Sequence, residues 1–422
     1  MSDMQQLKKY AAIGGAIALA FCWPLAVGQI GQNVIQDGVT QMNNDAITAE
    51  IVQYDRGYLS STVQTRYTIT DPLLVAQLEA DGIPAQIMVD SQITHGLLSI
   101  SADSEMTNWP DLPLTLHTVT QLNGNTDFEF KLDNWHQVSE GEQGAMLSVT
   151  PSTLKGHVTV LGEVSYQLDI PSIEVDFNSG EKLLVSGITG DGEGKQVNSF
   201  WIGDQQISLA DMAVLDGEQT PLFALKKAKY AYSSFMDEQS KRVTTKHNIT
   251  MADLLMEQDQ VSDFEVDFAL GDLDAVAFEQ LVLAYQNAPM MNADDMQNII
   301  PHVDSLFSNG FYLSMDKLAL TIGQGEFTSE WKLTVPQGTN DVSRNPMSIM
   351  PALQGHIDTF VSNGLVEQYP ALQQGVDEGM IMEFVKQTDN GYRVKAELKE
   401  GNFVFENGQK VPLMSLLLPL MM

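Results

Sequence analysis

Thr62-Val63-Gln64-Thr65-Arg66-Tyr67-Thr68-Ile69 (TVQTRYTI, residues 62–69) sets Val63, Thr65, Tyr67 and Ile69 alternately with Thr62, Gln64, Arg66 and Thr68. A period of two places one set on each face of a strand, the signature of a half-buried antiparallel sheet. The same rhythm returns along the chain. Phe128, Phe130 and Leu132 alternate with Glu129 and Lys131; Val158 and Val160 lead into Val164, Tyr166, Leu168 and Ile170. Near the end, Tyr392, Val394, Ala396 and Leu398 reach a turn at Glu400-Gly401-Asn402, followed by Phe403, Phe405 and the turn Asn407-Gly408. Asn-Gly between apolar runs is a strong hairpin signal.

Helical spacing interrupts the strands in the second half. Residues 273–285 carry Leu273, Ala277, Leu281 and Leu283 on one face; residues 294–307 carry Met296, Ile299, Ile300 and Val303, with Pro301 expected to end or bend that helix. A third helix is expected over 349–366, opened by Pro351. The fold class read from this is mainly β (α+β): a long twisted antiparallel sheet with a few covering helices. Two similar halves are expected within residues 49–422, split near 215–225 where Asp216-Gly217 and Pro221 fall.

Residues 10–27 (YAAIGGAIALAFCWPLAV) contain no charged side chain; Lys8 and Lys9 precede them and no Lys or Arg follows until Arg56. As a helix the run is about 27 Å long, close to a bilayer core. The expectation is a single transmembrane helix over 10–28, a cytoplasmic tail over 1–9 and a periplasmic remainder, by the positive-inside rule. A cleaved signal peptide is the competing reading, with Ala26 and Gly28 near the cut. Lipidation at Cys22 is disfavoured by the bulky Phe21 before it. Ile30, Val34, Ile35, Val39 and Met42 continue a helical spacing, so residues 29–48 read as a short helical stalk.

Of the 422 residues, 55 are acidic and 22 basic, a net charge of −33. That balance speaks against a nucleic-acid partner, which needs clustered positive charge. Cys22 is the single cysteine, so internal disulfides are excluded. The hydrophobic fraction of 43% permits a real core.

Catalytic signatures are missing from the sequence. The histidines, His95, His117, His136, His157, His247, His302 and His356, show no metal-ligand spacing, and there is no nucleophile elbow. Gly190-Asp191-Gly192-Glu193-Gly194-Lys195 fails as a phosphate loop, because Thr189 and Gln196 replace the required residues; a hairpin turn is the expected structure. Asp272 and Asp274 read as helix-start residues. Lys226, Lys227, Lys229, Lys241, Arg242 and Lys246 form a basic cluster that suits either an anionic partner or pairing with neighbouring carboxylates. Twenty-one methionines and the apolar end VPLMSLLLPLMM (411–422) suit core filling, an apolar groove or a subunit contact. No catalytic, cofactor-binding or metal residue is assigned.

Tyr54-Asp55-Arg56-Gly57-Tyr58-Leu59-Ser60-Ser61 resembles the Y-x-R-G-[WYF]-x-S-S signature of the YdgA-like family of Gram-negative envelope proteins. Leu273-Asp274 with Ala277, the strand-rich block 313–336, and the closing hairpin before Pro412-Leu413 are similar to that family too. The resemblance implies an inner-membrane-anchored periplasmic protein without known catalytic residues. Physically, Gly57 permits a tight bend, Tyr58 is placed to pack beneath it and Arg56 to meet a carboxylate. Two functions are carried forward, neither enzymatic: binding of a lipid or other apolar ligand, and a homodimeric or hetero-complex envelope scaffold.

Overall fold

The computed structural model describes residues 29, 32, 36, 39, 40, 43 and 47–415, apart from 81–83, 140–143, 198–199, 257–258, 288–292 and 341. The expected anchor over 10–28 lies outside the described residues, as do residues 416–422. Among the described residues no helix is long and apolar enough to cross a membrane. Of the expected stalk, Gln29, Gln32, Gln36, Val39 and Thr40 are helical, while Ile47 and Thr48 already belong to the first strand.

The chain divides into two compact units, Met1–Glu174 and Val175–Met422. In the first, β1 (Ile47–Arg56), β2 (Ser60–Ile69), the helix α1 (Pro72–Ala80), β3 (Gln86–His95), β4 (Ser99–Met106), β5 (Leu114–Gln121) and β6 (Thr126–Leu132) follow in order. Then come β7 (Trp135–Val138), β8 (Ala145–Val149), β9 (Ser152–Val158) and β10 (Glu163–Phe177), which runs past the division. The strands β1 to β6 pair antiparallel with their neighbours, β9 joins β6 and β10 joins β9, while β7 and β8 form a side hairpin. Val160 is not a strand residue: it sits in the turn between β9 and β10, because Gly162 N–H closes that turn onto Thr159 O at 2.9 Å.

The second unit has longer strands: β11 (Lys182–Val197), β12 (Phe200–Leu215), β13 (Pro221–Asp237), β14 (Arg242–Met256) and β15 (Asp259–Asp274). Helices α2 (Ala275–Asn287) and α3 (Ala293–Asn309) follow, then β16 (Phe311–Ile322), β17 (Gly325–Val335), a 3-10 turn (Pro346–Ile349) and β18 (Gln354–Ser362). Helices α4 (Asn363–Gln368) and α5 (Pro370–Ile381) lead to β19 (Val385–Gln387), β20 (Gly391–Lys399), β21 (Asn402–Phe405) and β22 (Lys410–Pro412). Each strand from β11 to β18 pairs antiparallel with the next; β18 pairs β20, which also takes β19, and β21 and β22 close the series.

Residues 215–225 contain the turn of the β12–β13 hairpin. Asp216 Oδ1 accepts from Glu218 N–H at 2.9 Å and Thr220 N–H at 2.8 Å, a side-chain-closed turn. The division into units falls instead between Glu174 and Val175.

Three expectations are corrected. Half of the helix expected over 349–366 is β18: Ile357, Thr359 and Val361 are β-branched at period two, and both edges are paired, to β17 and β20. Only the tail, from Asn363, is helical, capped by the Ser362 hydroxyl accepting from Leu365 N–H. Residues 190–195 are not a turn but the middle of β11, paired to Ile207 through Ile202. The glycine there serves close packing, since a Cβ on Gly194 would meet Ile202 O at 2.5 Å and the Trp201 ring at 2.8 Å. Of the two outcomes expected at Pro301, an end is excluded: α3 runs on to Asn309, and the carbonyl that the proline frees is that of Gln297, on the exposed side of the helix.

Helices close the ends of the second unit's strands. Leu273, Ala277 and Leu306 form one buried cluster; Phe200, Val243 and Ala275 another, with Phe278 stacked on Phe200 at 5.6 Å; Val335, Leu353 and Leu398 a third, against which Leu413 packs. At the far end of β17, a Cβ on Gly325 would meet Leu365 Cα at 2.5 Å, so the glycine lets α4 seat there.

Candidate functional site

Strand register assembles the main candidate. Tyr232, His247, Phe268, Met315, Trp331, Ile357 and Ala396 face one another in sequence across β13 to β20, with Phe405 next on β21. Cross-strand partners share a face, so these side chains make one file. At about 4.8 Å per strand its seven steps span roughly 34 Å. A second file on the same face, two residues along, runs Ile207, Tyr230, Ile249, Val266 and Leu318. Between them lies a file of the opposite face: Gln206, Ala231, Asn248 and Asp267. The sheet is thus amphipathic, as its alternation requires.

The rings touch along the file. His247 lies 6.1 Å from Tyr230, 5.2 Å from Tyr232 and 6.1 Å from Phe268, and Phe268 lies 6.4 Å from Trp331. Offset and edge-on pairs at these distances are favourable. The Tyr230 hydroxyl and His247 Nδ1 are 2.8 Å apart. Burial lowers the imidazole pKa and raises that of the Tyr230 phenol, so both are neutral at neutral pH. These rings are half-buried, whereas Ile207 is 45% and Ile249 39% exposed. The arrangement offers an uncharged, ring-lined apolar surface between helix-closed ends, with one hydrogen-bonding pair in it.

The first unit offers a different surface. An open trough of about 890 Å³ lies on its β1–β6 sheet, bordered by Gln64, Asp90, Asp103, Glu105, His117 and Glu129 among others. Its charges are largely matched internally: His117 Nδ1 meets Asp103 at 2.6 Å, Lys131 meets Glu129 at 3.0 Å, and Gln64 donates to Asp90 at 2.8 Å. Among the described residues no group of three His, Cys, Asp or Glu is placed to hold a metal.

The basic cluster does not make one patch. Lys226 stands opposite Asp211 and Asp253, Lys229 opposite Ser208 and Thr250, and Lys246 opposite Ser233 and Ala269. Arg242 is structural: its guanidinium donates to Asp272 O at 2.6 Å and Gly310 O at 2.9 Å, and also to Asn309 O. Asp274 caps α2 by accepting from Ala277 N–H at 2.9 Å, whereas Asp272 sits at φ 57° in the strand before it. Of the methionines near the helices, Met256, Met347, Met380 and Met382 are exposed and Met251 and Met350 half-buried. Met290 and Met291 lie outside the described residues, and nothing is described of the Met296 side chain.

The Tyr54–Ser61 motif is a hairpin lock. Gly57 N–H donates to Ser60 O at 2.7 Å, and a Cβ there would meet that oxygen at 2.8 Å. The Tyr58 side chain is exposed; the buried side chain at this hairpin is His95, with Nε2 2.9 Å from Ser61 Oγ and Nδ1 3.3 Å from Tyr58 O. Among the described residues Arg56 meets the Gln29 side-chain carbonyl and no carboxylate. His95 and the His247 ring file escaped sequence reading. The signal for the file was the run Tyr230-Ala231-Tyr232 facing His247-Asn248-Ile249, legible only once the register is known.

The family described as "Bacterial protein of unknown function (DUF945)" matches residues 7–414, and the chain belongs to it. No curated protein and no solved structure matches the chain.

Proposed function

We propose that this member of the DUF945 family of bacterial proteins is a non-enzymatic binding protein. Its ligand is a lipid or another molecule with a long apolar chain, seated along the ring file of the second unit. The observation that carries this reading is the continuity of Tyr232, His247, Phe268 and Trp331 with the exposed Ile207 and Ile249 on one uncharged face. Such a face, left in water, is costly in proportion to its apolar area. Neutral His247 and Tyr230 supply a polar point for an ester carbonyl or hydroxyl without burying a charge. The inner-membrane anchor at 10–28, the periplasmic location and the YdgA-like resemblance belong to the same proposal, because a tethered protein meets its lipid in the envelope.

The test is solvent extraction and mass spectrometry of the full-length chain purified from its own membrane, beside an Ile249→Asp variant. The expected result is near-stoichiometric lipid on the first and severalfold less on the second. Equal traces on both would refute the reading.

The scaffold alternative rests on the long edge strand β1, which exposes Ile47 and Val52. A bulge between Ile51 and Gln53 interrupts the regular ladder there, a feature that blunts edge pairing.

A further inference from the structure

Four hairpin turns lie side by side at one end of the first unit's sheet: residues 57–59, 96–98, 122–125 and 159–162. They are tied to one another. His95 N–H donates to Leu59 O at 2.8 Å, Leu122 N–H to Leu98 O at 3.2 Å, and Val160 N–H to Asn125 Oδ1 at 3.3 Å. Their tips expose Tyr58, Leu59, Leu97, Leu98, Val160 and Leu161, the last to 80%. Turns are ordinarily the most polar part of a fold. None of these residues carries a charge, in a chain with 55 acidic side chains. The connections at the opposite end of the same strands hold Asp71, Asp111 and Asp133.

We propose that this rim of turns seats on the surface of a phospholipid bilayer, with the leucine and valine tips inserted at the headgroup boundary. Three observations choose that occupant. The tips of the rim are apolar and uncharged in a chain that is strongly acidic, so they approach an anionic surface without repulsion. The turns satisfy their own backbone: Gly57 N–H to Ser60 O, Gly96 N–H to Ser99 O, Gly124 N–H to Gln121 O and Gly162 N–H to Thr159 O, at 2.7 to 2.9 Å. Each turn therefore keeps one of its own donors paired when it loses water. Finally, Arg56, at the foot of the first turn, holds Gln29, two residues after the uncharged run 10–27. The rim thus begins where that run ends. Eight strands at about 4.8 Å make it roughly 34 Å wide, and Tyr58 brings an amphipathic ring suited to the interface. This surface belongs to the first unit and stands independently of the ring file.

The experiment places single labels on the full-length chain in phospholipid nanodiscs of phosphatidylethanolamine and phosphatidylglycerol. In a Cys22→Ser background, an environment-sensitive fluorophore is attached at Leu98→Cys, Leu161→Cys or, as control, Asp111→Cys. All three sites are turn residues outside the buried clusters, so the labels leave the core intact. The expected result is severalfold stronger quenching by brominated acyl chains at 98 and 161 than at 111. Equal quenching at all three sites would overturn the proposal. So would labels at 98 and 161 shielded from iodide but untouched by brominated lipid, which would assign the rim to a protein contact.

Discussion

The file through Ile93 in the first unit and the file through His247 in the second use the same antiparallel ladder and fill it differently. Ser61, Ile93, Ala102, Thr118, Phe128 and Gly156 follow one another in the first. Tyr232, His247, Phe268, Met315, Trp331 and Ile357 do so in the second. Small and hydroxylated side chains allow burial by short contacts and by the Ser61–His95 bond; large rings build a broad surface that the helices cover only at its ends. The comparison teaches that one strand pattern serves two purposes, decided by side-chain size: strands that bury small side chains and expose large apolar ones mainly at their turns, and strands that carry a broad apolar face.

The comparison breaks most visibly in the helix-covered core. Leu273→Ala, at a residue 2% exposed, should cost about 3 kcal/mol. Urea unfolding followed by hydrogen exchange should show the loss in the second unit, with amides of β2 and β3 unchanged. A matching loss in the first unit would mean the two are one cooperative body.

Arg393→Ala should cost about 2 kcal/mol, because the 6%-exposed Asp358 would keep only Lys395, at 3.3 Å. Hydrogen bonds from Arg393 and then Lys395, against the cost of burial, hold the Asp358 pKa below its ordinary 3.8. The stabilisation is therefore complete above that ordinary value and fades as pH falls through the lowered one. Chemical denaturation should show the gap between wild type and variant closing in acid.

A smaller effect belongs to His247, whose pKa burial holds below 6.5. The native state prefers the neutral ring, so its contribution is full above 6.5 and declines as pH drops toward the lowered value. His247→Phe should abolish this part of the pH dependence, as read by thermal melts across pH 5 to 7.5. Least of all, Leu98→Asp should change stability by under about 0.5 kcal/mol, since the tip packs on no core. A larger loss would place that side chain in the interior.

Strands announced themselves wherever one face was apolar, as at Val63 to Ile69 and Tyr392 to Leu398, because period two is written directly in the residues. The α2 start was legible too, since Asp274 before an apolar helix is a capping pattern. β18 was hidden: Gly355 and Asp358 disguise its alternation, and its strand state depends on partners far away, including Arg393 on β20. The ring file was hidden for the same reason. Its touching rings lie on β13, β14, β15 and β17, and only register brings them together. The rim of turns is a property of topology, invisible while each Leu-Leu or Val-Leu pair is read alone.

The most direct test of the ring file is photo-crosslinking in membranes with a phospholipid carrying a benzophenone on its acyl chain, followed by peptide mapping of the full-length protein. The account predicts adducts on peptides containing Ile207, Ile249, Phe268 and Trp331, reduced by Ile249→Asp. Adducts confined to the opposite face, around Lys246 and Lys332, or none in the second unit, would contradict it.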